Sequence, residues 1–429
     1  MQKIPAAFCT FEEHLSKYEN FPAQDFIALM EPVFSAEGYR TPRAVGEKAQ
    51  ILVISDGGVG DFICISGALR EIRRLYPQAV ITLVVFPRSF TLAEQCPYVD
   101  FLLANEYLPV RRPLAELFAV HGAYVEEHLL KQRFDLAFVF GHYASSYLLA
   151  YMTGAKERIG HVHDFAGLPR EACAALLTRP LRAPNQPLHL AERSFDVLDQ
   201  LLALPVLDRS LELWLTGEEI SGVREKIARL GADLGRKKVF AIGLGGSAKR
   251  KHWPPRNYGI FLRALSEREE EPFFLLLGGR DDMAEAEEIC RALGRAQALN
   301  LAGALDFRET AAAVSLCSAY IGNDTGLLHM AAVIGLPVLE ICCYPADLPL
   351  DEKAIPMCYY PYRTPAVVVQ PARALDDCAH EPRDAYGCRH EAEAHCISAI
   401  SPQAVLAAYG ILQKRVREGA GGTLFVSSD

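Results

Sequence analysis

A chain of 429 residues is too long for one ordinary core and fits two domains with additions. Half of it is hydrophobic and 23% is charged, which excludes a disordered polymer. With 53 acidic against 44 basic side chains the formal charge is -9, which argues against a nucleic-acid-binding protein but leaves room for a local basic patch on an anionic ligand.

Residues 1–50 read as an N-terminal extension, with helices expected over Phe11–Lys17 and Asp25–Met30 and a polar linker after Pro42. No basic-then-apolar stretch precedes Glu12, Glu13 and His14, so no signal peptide is expected and the cytoplasm is the predicted compartment. No apolar run approaches the roughly 18 residues that span a bilayer. The run Met330–Cys343 is interrupted by Gly, Pro and Glu.

The first domain opens with the unbroken apolar strand Ile51–Ser55, then the turn DGGVGD and a helix over Ile63–Leu75. Strands follow at Val80–Phe86 and Leu136–Phe140. From about Leu207 the pattern restarts: a helix at Glu218–Leu230, then strands at Val239–Gly246, from Phe273, at Leu299–Gly303 and at Ala319–Asp324. Strands alternating with helices imply βαβ units and a parallel sheet, and two such units imply a cleft between them. The helix Pro402–Val416 is expected to cross back to the first domain, and the tail from Gly419 to be mobile.

Three constellations carry chemistry. The first is Gly57, Gly58, Gly60 and Asp61, directly after the first strand. The G-x-G-x-x-G spacing and the ribose-binding acid of a dinucleotide site are both missing, since the second strand ends in Phe86-Pro87-Arg88, and this disfavours an NAD enzyme. Asp61 reads as a helix cap or as a catalytic carboxylate, with Asp56 on the same turn as the next carboxylate to consider. The second is GGSAKRKHWP: Gly245, Gly246 and Ser247 offer phosphate donors without bulk, and Lys249, Arg250 and Lys251 offer charge. As a surface-turn lysine, Lys251 is expected to matter little to stability. The third is GNDTGLLHMAA, where Asp324, Thr325 and Gly326 open a helix whose free N–H groups suit an anion, with His329 on its first turn. A capped helix with a packed histidine is the plainer alternative.

In this order, a G-D pair, K-x-W-P and D-T-G-x-x-H resemble glycosyltransferase family 9, the ADP-heptose heptosyltransferases of lipopolysaccharide assembly. KHWP and DTGLLH stand nearest the wording of its heptosyltransferase I branch. The resemblance covers roughly residues 51–345 and, more loosely, the C-terminal helix.

It implies an α/β protein of GT-B fold, with two Rossmann-like doubly wound domains facing a central cleft. Residues 51–206 would be the acceptor domain, 207–400 the nucleotide-sugar domain, and 401–429 a helix and tail. It implies an inverting transfer without cofactor or catalytic metal, with Asp61 as base, Gly60 on the acceptor side, and Gly246, Ser247, Lys251, Asp324, Thr325, Gly326 and His329 on the donor.

The implied partners are an ADP-sugar and a glycan, lipid-linked or protein acceptor, with no nucleic acid. Peripheral contact with the inner face of the inner membrane stays open. Ser55 departs from the family's frequent Arg or Lys, and residues 1–50 and 347–395 are longer than usual, which bears on the acceptor. A sugar-nucleotide epimerase and a non-catalytic binding module are the competing readings.

The 12 cysteines are scattered. Cys64, Cys173, Cys290 and Cys317 read as small core residues. Cys358, Cys378, Cys388 and Cys396, among His380, His390 and His395, have the chemistry of zinc or iron ligands but lack C-x-x-C pairs, which favours unbound thiols.

Overall fold

The computed structural model describes residues 48–108, 114–141, 143–162, 170–184, 188–202, 205–294, 296–347, 355–375 and 393–428. The helices expected in the N-terminal extension, together with Cys378, His380, Cys388 and His390, lie outside them. The chain divides into two units, Met1–Pro184 with Ala191–Arg209, and Asn185–Leu190 with Ser210–Asp429.

In the first unit six strands, β1 (Gln50–Ser55), β2 (Val80–Val85), β3 (Phe101–Ala104), β4 (Leu136–Val139), β5 (Glu157–Val162) and β6 (Arg179–Arg182), form one sheet in the order β3-β2-β1-β4-β5-β6. Every pair is parallel. The helices are α1 (Val59–Leu75), α2 (Pro87–Ala93), α3 (Leu114–Tyr124), α4 (Ala144–Met152), α5 (Arg170–Leu176) and α6 (Leu190–Leu202). A parallel strand covered on both faces needs continuous apolar sequence, and Ile51, Leu52, Val53 and Ile54 are all 0% exposed. Each such side chain contributes about 1.5–3 kcal/mol on burial. The strand order reverses between β1 and β4, and ligands of open α/β sheets bind at the carboxyl end of such a switch point.

The second unit repeats the plan. Strands β7 (Lys238–Gly243), β8 (Pro272–Leu277), β9 (Ala298–Asn300), β10 (Ala319–Asn323), β11 (Val338–Ile341), β12 (Ala366–Pro371) and β13 (Thr423–Ser428) lie in the order β13-β12-β11-β10-β7-β8-β9. All neighbours are parallel. Its helices are α7 (Gly217–Arg229), α8 (Pro255–Ser266), α9 (Met283–Leu293), α10 (Phe307–Ser315), α11 (Gly326–Ile334), α12 (Ile355–Tyr359) and α13 (Pro402–Arg417). Side-chain alternation splits the core between the two faces of the sheet: Phe240, Ile242, Leu339 and Ile341 on one, Val239, Ala241, Tyr320 and Val338 on the other. The switch point here lies between β7 and β10.

Two expectations are corrected. Helix α13 stays with the second unit, because Val405, Ala408, Tyr409 and Leu412 are buried in that unit's core. The tail is not loose: Thr423–Ser428 pairs with Ala366–Pro371 as an edge strand, with Phe425 and Val426 partly buried against the core. Among the described residues no helix is long and apolar enough to cross a membrane.

Candidate functional site

In the first unit, β1 hands over to α1 through Asp56-Gly57-Gly58. Gly58 stands at the N-cap position in extended backbone, so Asp61 is the third residue of the helix rather than its cap. Its Oδ2 nevertheless accepts the Gly58 N–H at 2.7 Å, and a carboxylate in a first turn is favoured by the helix dipole. A Cβ on Gly57 would stand 2.2 Å from the Asp61 Cβ, so glycine is what lets the turn close over this side chain. Gly60 and Asp61 are half-buried. Asp56 differs sharply. It is 1% exposed, and its Oδ2 accepts the Tyr143 N–H at 2.9 Å and the Ser146 hydroxyl at 2.6 Å. Asp56 ties the turn to the start of α4, which leaves Asp61 as the carboxylate of this turn that solvent reaches.

In the second unit the organising residue is Asn323, the buried last residue of β10. Its amide N–H groups donate to the carbonyls of Leu244, at 2.5 Å, and Gly245, at 3.3 Å. Its side-chain oxygen accepts the Trp253 N–H at 3.3 Å and the Tyr258 hydroxyl at 3.0 Å. The Trp253 indole N–H donates to the Ile400 carbonyl at 2.9 Å. Asn323 thus fastens both ends of the loop that carries Gly246, Ser247 and Lys251. Beneath it Gly322 of β10 pairs in register with Gly243 of β7, so close that a Cβ on Gly322 would stand 2.3 Å from the Gly243 oxygen.

That loop places the Lys251 ammonium 2.6 Å from the Asp324 carboxylate, with side chains only 14% and 10% exposed. Lys251 is therefore not the solvated surface lysine expected from its basic neighbours: the one-turn helix Lys249–Lys251 folds it inward. Burial is the largest single influence and lowers its pKa, but the Asp324 charge and hydrogen bond, together with Tyr344 and Cys343, outweigh burial and raise it, so the ammonium stays charged. Gly246 lies against the Lys251 Cβ, and Ser247 is exposed on the same loop.

Thr325 caps α11 by accepting the Leu327 N–H at 3.2 Å, and Gly326 is its first residue. His329 is buried beneath, and burial lowers its pKa to about 4, which makes it a neutral imidazole near neutral pH. The structure therefore brings Gly246, Lys251, Asp324, Thr325, Gly326 and His329 to one edge of one sheet, at the switch point. A charged ammonium and a helix N-terminus there suit a phosphate-bearing ligand.

Sequence reasoning did not single out Asn323, Tyr258 or Glu340. The signal for Glu340 was a lone acid inside the apolar run PVLEICC. The loop also carries His252, whose Nδ1 lies 3.3 Å from Glu285 and 3.8 Å from Asp282. These three side chains could chelate a cation, but Lys249 already stands 2.8 Å from Glu285 and balances its charge. Cys64, Cys173, Cys290 and Cys317 are buried as expected of core residues, and so are Cys358 and Cys396.

Residues 124–345 match the sequence profile of Glycosyltransferase family 9 (heptosyltransferase). The chain is 26% identical over 305 residues to "Lipopolysaccharide heptosyltransferase 2" of Escherichia coli strain K12, covering 68% of this chain and 82% of that one. Among solved structures it is similar to a glycosyl transferase family 9 protein from Veillonella parvula DSM 2008, with a TM-score of 0.66, 18% identity, and coverage of 87% of this chain and 100% of that one. It is also similar to E. coli ADP-heptose lps heptosyltransferase II, with a TM-score of 0.61, 22% identity, and coverage of 86% and 99%. Two parallel-sheet α/β units and these likenesses make the fold GT-B.

Proposed function

The chain belongs to glycosyltransferase family 9, an enzyme family that transfers sugars, and from that premise we propose that its donor is an ADP-heptose and its acceptor a hydroxyl of the lipopolysaccharide core. The observation that carries the donor reading is the Lys251–Asp324 pair at 2.6 Å beside the capped start of α11. A diphosphate leaving group accumulates negative charge as the anomeric carbon is attacked. A lysine held charged in a largely buried position, with the N–H groups of a helix start, stabilises that charge without reorganisation. The same arrangement supports a transfer independent of metal.

Asp61 is the proposed general base. It follows β1 at the first unit's switch point and is half-buried, while its neighbour Asp56 is committed to Tyr143 and Ser146. Taking the acceptor's proton as the new bond forms leads to direct displacement and inversion. Gly60, beside it, is assigned with it to the acceptor side.

The test is a thermal-shift panel of ADP-, UDP-, GDP- and CDP-sugars, because a ligand that binds the native state raises its melting temperature by mass action. Stabilisation by ADP-sugars is expected, and stabilisation by UDP-sugars alone would refute the donor. Incubating the binding donor with the enzyme and no acceptor completes it: conversion to a new sugar nucleotide would assign an epimerase instead. Transfer to a protein but not to a lipopolysaccharide core would replace the acceptor.

A further inference from the structure

Glu340 lies in β11, in register between Gly322 of β10 and Val368 of β12, in the middle of a seven-stranded parallel sheet. It is 3% exposed. Two residues after Val338, it shares that residue's face, where Tyr320 and the α11 residues Leu328 and Ala331 form the core. Glu340 is therefore beneath the helix whose start lies in the donor site. Cys342 hydrogen-bonds its carboxyl, yet its Oε2 has no hydrogen-bond partner. A buried carboxylate without a counter-charge is costly.

The charged and titratable groups that act on it are Asp324 from the β10–α11 turn, Lys251 from the loop after β7, Tyr320 from β10 and Cys342 at the end of β11. The cation among them, Lys251, is already 2.6 Å from Asp324.

We propose that Glu340 is a positioning residue of the donor site, a carboxyl that must hold its proton for Lys251 to serve the donor's diphosphate. This rests on the donor-site reading above. With Glu340 neutral, Lys251 and Asp324 cancel, and an incoming diphosphate meets the ammonium and the start of α11 without net repulsion. With Glu340 ionised, two carboxylates share one ammonium, and the site opposes the ligand it is built for. Burial first, and then the Asp324 charge, push the Glu340 carboxyl well above the usual range, with Lys251 and Cys342 only partly offsetting this. The carboxyl therefore keeps its proton above the usual carboxylate range and gives it up only as the pH rises further. Donor binding becomes a proton-linked event.

The experiment is calorimetric titration of the full chain with ADP, UDP, GDP and CDP, from about pH 6 to about pH 9, on wild type and Glu340→Gln. Glutamine keeps the shape of the neutral acid. For the nucleotide that binds, the ratio of wild-type to variant Kd is expected to rise with pH, by up to about tenfold per unit once the proton leaves. Wild type alone gives a second readout: in buffers of different ionisation enthalpy it should take up a proton on binding at the alkaline end, whether or not the variant folds. Parallel profiles, or no proton uptake, would overturn the inference and leave the donor site standing. Failure of every nucleoside diphosphate to bind wild type at any pH would overturn the donor reading and the inference with it.

Discussion

Replacing Lys251 with alanine should damage the fold as well as the site. Its ammonium is 2.6 Å from Asp324, in a pair whose side chains are 14% and 10% exposed. Removing one partner of a buried pair strands the other, at about 3–5 kcal/mol for full burial. Residual exposure argues for the lower end, about 3 kcal/mol. For a unit of this size each kcal/mol moves the midpoint by about 2–4 °C, so Lys251→Ala should melt about 6–12 °C below wild type. The double variant Lys251→Met with Asp324→Asn removes both charges and should recover stability to within about 1 kcal/mol, while still failing to bind the donor. Calorimetric unfolding beside donor titration separates the two effects. If Lys251→Ala melts with wild type, or if the two single losses simply add in the double variant, the pair is not the buried couple described.

Asp61→Asn should lower turnover by about 10²–10⁴-fold with donor affinity kept. The amide oxygen can still accept the Gly58 N–H, so the midpoint should move by less than the equivalent of about 1 kcal/mol; normal turnover would reduce Asp61 to a helix-start residue. Asp56→Ala should do the reverse, destabilising by about 2–3 kcal/mol through the orphaned Tyr143 N–H and Ser146 hydroxyl, with turnover per folded molecule little changed. His329 and His121 are both lowered to about 4 by burial, so the unfolded chain binds their protons first. Their contribution is present above the unfolded value of about 6.5 and is lost as pH falls toward about 4, by up to about 3 kcal/mol each. Urea unfolding in that window should show His329→Gln with a shallower pH slope than wild type.

Some strands covered on both faces were legible because continuous apolar sequence has few other uses: Ile51–Ser55 and the run from Phe273 are strands at those positions, although the equally buried Ala366–Pro371 was not expected. Of the edge strands, Ala298–Asn300 overlaps the strand expected at Leu299–Gly303, whereas Arg179–Arg182 and Thr423–Ser428 were not legible. Arg179–Arg182 is four residues of which two are arginine, and its strand character comes from pairing with β5 rather than from burial. Thr423–Ser428 follows two glycines that resemble the start of a loose tail, and only its partner β12 makes it a strand.

In the candidate site the sequence displayed the loop chemistry but not the direction of each side chain. Lys249, Arg250 and Lys251 look alike in a row, yet one meets Glu285, one is buried over the Tyr344 ring and one meets Asp324. Local propensity does not encode that difference; the anchoring of the loop by Asn323 does.

The glycine pair Gly243–Gly322 has a consequence for anyone wishing to alter donor choice. A Cβ on Gly243 would stand 2.1 Å from the Tyr320 hydroxyl, and one on Gly322 would meet the opposite main chain. At these two positions the sheet can contribute only peptide groups, and peptide groups cannot be changed by mutation. On the proposed donor reading, selectivity then falls to the exposed positions of the loop, Ser247 and Lys249, and to the first turn of α11. A directed-evolution library concentrated on those positions can explore new leaving groups, whereas variants at the glycine pair would mostly sample misfolded protein.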